Sequence, residues 1–446
     1  MSGSVSAEDR AGTHPLAERL GFVLAAAAIV PGVALRLTGT HLSDPVDALL
    51  YGGAIVGAAF VLSWAAEVSQ LDISAGLAIA VLAFIAVLPE YAVDMVFAWK
   101  GGQAVAAYGP ACAAAAATGE TSCSLALANM TGANRLLIGI GWSLVVFVIW
   151  YRSRAVGPAT TDVRLERPHA VEVGFLGLAT LYSLTLPLRS AITLVDALVL
   201  VGIFVAYTIR IAKAPAEEPH LVGPALVLGG LSTARRRATV LAMFAVAAGV
   251  IVLGAEHFAE SLVLTGQTFG VSEFLLVQWL APLASEAPEL LVAGLFAWRL
   301  NHESALGTLV SSKVNQWTLL VGTLPVVFAL AVGGLHGLPI DAHQREELFL
   351  TAAQSFFAVA VLVSLSISTR EALLLFGLFW AQFLLGAFAP ASLAGVERVG
   401  VAVLYLVLGV GILYRQRHAL GPLVRDGFRR PLGELADGSA PATGTD

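Results

Sequence analysis

Charge is scarce in this sequence: Asp, Glu, Lys and Arg make up 13% of its 446 residues, about half of what a water-soluble domain carries. A soluble core is excluded on that ground. Cysteine is nearly absent, with only Cys112 and Cys123. They have no metal-ligand spacing, and they could pair only if their segment lies outside the cytoplasm. No HExxH, no Gly-x-Ser-x-Gly and no paired intramembrane aspartates occur, so an intramembrane enzyme has no support. Also missing are the ~10-residue segments of alternating apolar and polar residues that a membrane β-barrel shows. The net charge of −6 gives nucleic acid binding no support, and no obligatory protein partner is evident.

What is present is apolar. Hydrophobic residues make up 57% of the chain, in runs long enough to cross a hydrocarbon layer of about 30 Å, which takes about 20 helical residues. The runs predict about twelve transmembrane helices near 15–37, 46–66, 73–99, 123–150, 170–186, 191–211, 237–262, 272–298, 304–332, 347–366, 371–388 and 395–414. The expected fold class is therefore all-α and polytopic. The polar, acidic first twenty residues fit a cytoplasmic tail better than a cleaved signal peptide.

Basic residues orient these spans, because they gather on the cytoplasmic ends. Counting from a cytoplasmic N-terminus, Arg152, Arg154, Arg164 and Arg167 fall inside, as do Lys213, Arg235 to Arg237, Arg415, Arg417 and Arg425. Loops assigned outside carry few basic residues, Lys100, Arg189 and Arg345 being the exceptions. The reading divides the chain into an N-terminal half (1–212, core 46–211, outside loop 101–122), a cytoplasmic linker (213–236), a C-terminal half (237–416) and a cytoplasmic tail (417–446). It places the protein in a bacterial-type inner membrane with both termini cytoplasmic.

A repeat relates the halves. Residues 89–100 read PEYAVDMVFAWK and residues 288–299 read PELLVAGLFAWR. A second pair follows, ANMTGANRLLIG at 128–139 against GTLVSSKVNQWTLLVG at 307–322. The step from Glu90 to Ala128 is 38 residues and from Glu289 to Gly307 is 18, so the first half carries an extra 20, matching the Ala- and Gly-rich segment 101–120. In the span count the two copies run in opposite directions. The expected architecture is two inverted five-helix repeats with one extra helix at each end, an arrangement typical of transporters.

Carboxylates inside apolar runs mark functional sites, because burying them costs several kcal/mol. Glu90 and Glu289 each follow a proline, and the helix is expected to break at each Pro-Glu step, freeing backbone groups to line a cavity. Asp94 lies one turn beyond Glu90 on the same face, and Glu286 lies three residues before Glu289. Asn129, Thr131 and Asn134 follow on the next helix of the first half, and Thr308, Ser311, Ser312, Lys313, Asn315 and Gln316 on that of the second. For Thr131, Ser311 and Ser312 close helix packing explains the residue as well as ligation does. Glu256, His257 and Glu260 sit toward the outer end of a span, where an ion path could run, with His257 read as interfacial. Glu67 and Asp72 flank a cytoplasmic turn and read as solvated, while Lys100, Arg299, Trp99 and Trp298 read as interface anchors.

These residues resemble the calcium/cation antiporter superfamily, the membrane domain of sodium/calcium exchangers, whose halves each carry a Thr-Ser-x-Pro-Glu step followed by a Gly-Asn-x-x-Gly-Ser-Asn/Asp segment. The approach to the second repeat, GAEHFAES at 254–261 and FGVSEF at 269–274, is similar to the family as well. The resemblance implies that Glu90 and Glu289 are the central cation ligands and that Asn134 is the Asn of the first segment. It implies no resident cofactor, only transported cations such as Na+, Ca2+ or H+, with the lipid bilayer as surroundings. Four positions depart: Ala86-Val87 replaces the first Thr-Ser, Ser285-Glu286 the second, Asp94 stands against Ala293, and Lys313 occupies the second Asn/Asp position. An ammonium there opposes calcium, which takes about six to eight oxygens. The expected metal-site set is Glu90, Glu289, Asp94, Glu286, Asn134, Lys313, Ser312 and Asn129, serving proton- or sodium-coupled cation antiport by alternating access. A cation channel and an intramembrane enzyme are the alternatives.

Overall fold

The computed structural model describes residues 15–72, 88–109, 122–213, 221, 223–388 and 395–437. Its helices are α1 (Pro15–Thr38), α2 (Asp44–Ser69), α3 (Leu88–Tyr108), α4 (Ser122–Leu136), α5 (Ser143–Ser153), α6 (Ala170–Ser183), α7 (Leu194–Ile211), α8 (Pro224–Gly229) and α9 (Thr233–Phe269). They continue as α10 (Glu273–Trp298), α11 (His302–Asn315), α12 (Val321–Val332), α13 (Ala342–Leu362), α14 (Thr369–Phe388), α15 (Val396–Arg415), α16 (Arg417–Phe428) and α17 (Leu432–Asp437). Strands are two or three residues long, so the all-α class holds. Nine helical segments among the described residues are long and apolar enough to cross a membrane, and the expected span near 371–388 is the helix α14. Two more of the expected spans are helical but charged along their length, α3 by Glu90, Asp94 and Lys100, and α13 by Arg345, Glu346 and Glu347.

Local signals set several boundaries. Thr193 and Asp196 form a reciprocal capping box at the start of α7, and Asp341 and Gln344 do the same for α13, each satisfying backbone N–H groups the first turn leaves open. Gly270 closes α9 in the left-handed conformation, φ 62°, which glycine adopts without a Cβ clash.

Three expected boundaries move. The segment 101–122 is not all loop, because α3 continues to Tyr108. The linker holds α8 and the first residues of α9. The tail holds α16 and α17, and α16 buries Leu423, Asp426 and Gly427; its apolar positions fall on one stripe, which a search for membrane-length runs passes over.

The chain folds into two compact units. The first comprises Met1–Ala133, Ala216–Leu291 and Thr323–Pro339. Here α2 packs along α9 and α1, burying Trp64, Ala65, Val68, Leu226 and Val240 in one cluster and Ala58, Leu62, Ala247 and Ile251 in another. Asp72 is not solvated: its carboxylate takes both Arg236 Nε (2.7 Å) and Arg236 Nη2 (2.9 Å), with Arg237 Nε at 3.2 Å. The Arg236 hydrogen bonds hold its carboxyl below the usual carboxylate value. Lys100 and Glu260 are also joined, at 2.6 Å, with Glu256 at 3.8 Å, so the acids expected to flank an ion path fasten α3 to α9.

The second unit comprises Asn134–Pro215, Val292–Gly322 and Ile340–Asp446. Trp142 and Trp317 are fully buried in it, and Trp317 Nε1 donates to Ser355 Oγ at 2.6 Å. Ser143 Oγ donates to the Ala372 carbonyl at 3.0 Å. A short antiparallel ladder pairs Asp162–Arg164 with Ser366–Ser368. α16 lies on α6, held by Arg167 to Asp426 at 2.7 Å.

Candidate functional site

The first unit holds four acids of the expected set, though no three His, Cys, Asp or Glu side chains among the described residues stand close enough to form a metal-binding group. Glu90 and Asp94 lie on the inward stripe of α3, 3% and 0% exposed, because positions four apart share a helix face. On α10, Glu286 is buried and Glu289 half-buried, on the side opposite the exposed Leu291. The Glu90 and Glu289 carboxyls come within electrostatic reach of each other, and Glu90 also acts on Asp94. The two Pro-Glu glutamates therefore act on each other electrostatically inside one unit. Asp94 and Glu289 have no basic partner among the described residues, and a carboxylate at that depth must be neutralised by a proton or a cation.

Asn129 joins this group from α4, its Nδ2 donating to Asp94 Oδ1 at 2.8 Å. That bond leaves the Asp94 Oδ2 and Asn129 Oδ1 oxygens, both buried, accepting nothing among the described residues. Oxygen acceptors without a protein donor are what a hard cation takes up. Beside them, Gln278 Nε2 donates to Thr131 Oγ1 at 3.3 Å, and Thr131 Oγ1 donates to the Leu127 carbonyl at 2.8 Å. The Thr131 hydroxyl proton thus serves its own helix.

The expected break at the second Pro-Glu step does not occur: α10 runs unbroken through Pro282 and Pro288. The backbone adjusts instead. Pro282 has no N–H to give the Gln278 carbonyl four residues back, and that oxygen is the atom against which Gly132 of α4 packs, so closely that a Cβ there would lie 1.6 Å from it. Ser285 Oγ donates to the Ala281 and Pro282 carbonyls at 3.2 and 3.3 Å, the back-bond a serine makes to the preceding turn of its own helix. At the first step, α3 begins at Leu88, and Ala86 and Val87 lie outside the described residues. So does Cys112, while Cys123 is not a free thiol.

The second unit holds Asn134, Ser312 and Lys313. Lys313 is fully buried, and its ammonium donates to the Asn134 backbone carbonyl at 2.5 Å and to Asn134 Oδ1 at 2.6 Å. It also lies 5.5 Å from the centre of the Trp317 ring, within cation–π range. Ser312 precedes it and is half-buried. Three residues after Asn134 and after Lys313, both helices change to π geometry, over Leu137–Trp142 and Gln316–Leu320. Such bulges concentrate at functional sites, where they rotate side chains out of α register. The repeat thus extends to an irregularity of the backbone.

Two residues escaped the reading of the sequence. Arg135, next to Asn134, makes a buried ion pair with Glu347 at 2.6 Å, with His343 (3.6 Å) and Arg398 (3.8 Å) on the other carboxylate oxygen. A lone arginine inside the apolar run GANRLLIG was the available signal; its partner lies some two hundred residues away.

A polytopic helical protein with acids buried in its interior and a repeated backbone irregularity belongs to the class of membrane ion transporters. The sodium/calcium exchanger protein family matches residues 48–212 and 239–388, and the chain belongs to that family, within the calcium/cation antiporter superfamily. Among solved structures it is similar to the H+/Ca2+ exchanger CAX, with 39% identity, a TM-score of 0.82, and 94% of this chain and 98% of that one covered. It shares its fold with the Ca2+/H+ antiporter protein YfkE at 15% identity and a TM-score of 0.57, covering 87% and 100%. A comparison with curated proteins gives no match.

Proposed function

We propose that the chain is a secondary active antiporter that takes a small inorganic cation, calcium foremost, at Glu90, Asp94, Glu286 and Glu289, and exchanges it for protons. The observation that carries this reading is the electrostatic interaction of the buried Glu90 with Glu289 inside the first unit. Two ionised carboxylates at close range repel one another strongly in a low-dielectric interior. One divalent cation neutralises the pair, and so do two protons. A site that must hold one or the other, and never stand empty and charged, exchanges them by construction.

The donor set supports a hard cation, since carboxylates and the Asn129 amide oxygen suit calcium better than a soft metal. The likeness to an H+/Ca2+ exchanger supports the same pair of ions. Lys313 fills with its ammonium the position where the repeat pattern has a ligand, and it occupies both Asn134 oxygens. Inverted repeats support alternating access as the carrier motion, and the distribution of arginines supports an inner-membrane orientation with both ends cytoplasmic.

Purified protein in liposomes, with a trapped pH dye and an imposed calcium gradient, tests the proposal. Calcium uptake accompanied by proton release in fixed proportion is expected, and Glu90→Gln and Glu289→Gln should each abolish both. Calcium flux without counter-flow of protons, sodium or potassium identifies a channel, and flux surviving both substitutions removes the assigned site.

A further inference from the structure

The second unit holds another ionisable group with built surroundings. His169 closes the helical turn Arg167–His169 before α6. Its Nδ1 lies 3.6 Å from Glu172 Oε1, and its Nε2 lies 3.4 Å from Glu303 Oε1. Glu172 is 8% exposed, and its second carboxylate oxygen is buried with no partner among the described residues. The ring itself rests on α11 at Gly307, where a Cβ would lie 2.5 Å from its Cε1. Other groups nearby are spoken for: Arg167 binds Asp426 of α16, and Tyr207 of α7, within electrostatic reach of Glu172, hydrogen-bonds Ser311 Oγ at 2.9 Å.

A neutral imidazole has one donor nitrogen and one acceptor, whereas the imidazolium has two donors. With a carboxylate facing each nitrogen, the neutral ring would set an acceptor against an anion on one side. Only the protonated ring presents a donor to both, although at 3.6 Å Nδ1 lies just beyond hydrogen-bond distance of Glu172. The carboxylates face opposite nitrogens rather than one point, so the arrangement takes a proton, not a metal ion.

We propose that His169 is a second proton-binding site, which holds a proton between Glu172 and Glu303 and thereby seats α11, the helix that carries Ser312 and Lys313. The proton comes from water at the half-exposed Glu303 side, adds to one ring nitrogen, and returns to water by the same route; no covalent bond to carbon changes. Its influence on exchange rests on the antiport reading above, but its proton binding does not.

The test has two arms on full-length protein. In the first, nitrogen-15-histidine-labelled protein in nanodiscs is studied by NMR at pH 7.5, with the His169 signals assigned by His169→Gln. Both ring nitrogens should be protonated while exposed histidines are mostly neutral, and Glu303→Gln, a change at a half-exposed position, should convert a measurable fraction of His169 to a neutral tautomer. A neutral ring, or one indifferent to Glu303→Gln, overturns the proposal. In the second, the pH profile of calcium exchange in liposomes should change shape in His169→Gln and shift in Glu303→Gln. A profile that superimposes on the parent's overturns the link to α11. If the unaltered protein shows no exchange at all, the antiport reading fails while the NMR arm still decides whether His169 holds a proton.

Discussion

Asn134 and Lys313 occupy matching places in the two repeats, each three residues ahead of its π segment, and they bind each other: the Lys313 ammonium spans the Asn134 carbonyl and Oδ1 at 2.5 and 2.6 Å. A position that elsewhere in the family supplies an oxygen here supplies a tethered cation, and that cation is used within the unit. Both Asn134 oxygens are thereby committed to a protein donor.

Removal of the ammonium exposes what it satisfies. Lys313→Met leaves two buried acceptors without their donor, which costs about 1–3 kcal/mol, whereas Lys313→Gln retains an N–H and should lose less. Thermal unfolding of the detergent-solubilised protein reads the difference. Equal midpoints for Met and Gln would mean the bonds contribute nothing net.

The acids of the first unit predict a graded response. Asp94→Asn keeps the shape of the Asp94 to Asn129 contact but removes one charge from the oxygens offered to a cation. Loss of a charge-assisted interaction of about 1.5–3 kcal/mol corresponds to roughly 10- to 100-fold weaker apparent calcium affinity. The concentration dependence of calcium uptake in liposomes measures it, and an unchanged half-saturation would take Asp94 out of the site.

The buried pair of Arg135 and Glu347 makes the opposite kind of prediction, about folding rather than transport. Both side chains are nearly inaccessible, so removing one strands the other, at a cost of about 3–5 kcal/mol. Glu347→Gln should therefore unfold at markedly lower temperature. The double variant Arg135→Met with Glu347→Leu should recover part of that loss, and a double variant as unstable as the sum of the singles would show that the two do not act as a pair.

Much of this was legible in the sequence, and for one reason: a pattern that occurs twice constrains itself. The repeated Pro-Glu step draws attention to Glu90 and Glu289, and the apolar runs locate the long helices with ends off by up to about nine residues. What escaped depends on partners distant along the chain. Asp72 reads as a solvated turn residue until Arg236 is brought to it from 164 residues away. The unbroken course of α10 through Pro288 escaped because a proline's local preference does not by itself end a helix that the packing of its neighbours holds.

The Asp72 to Arg236 pair also predicts a pH effect. Asp72 is held below its ordinary value of 3.8 by Arg236. A carboxyl with a lowered folded-state value contributes stability that is fully present above the unfolded value and is lost as pH falls through the folded one. The unfolding midpoints of the parent and Asp72→Asn should therefore differ near neutral pH and converge below about pH 4. A gap that persists undiminished in acid would mean the aspartate acts through packing and not through its charge.

The sharpest steric prediction concerns Gly132. A methyl group at this position would lie 1.6 Å from the Gln278 carbonyl oxygen and 2.7 Å from its carbon, and both are backbone atoms that no rotamer change can move aside. Gly132→Ala must push α4 and α10 apart, and those helices carry Asn129 on one side and Glu286 and Glu289 on the other. Overpacking a tight contact costs about 1–3 kcal/mol or more, and here the displacement also pulls Asn129 away from the acids. Gly53→Ala is the matched control, since its added methyl would meet nothing nearer than the Ala28 carbonyl at 3.9 Å. Gly132→Ala should lower both the unfolding temperature and the maximal exchange rate while Gly53→Ala changes neither. Full exchange by Gly132→Ala at parental stability would mean that the close passage of α4 past α10 does not set the spacing of the cation site.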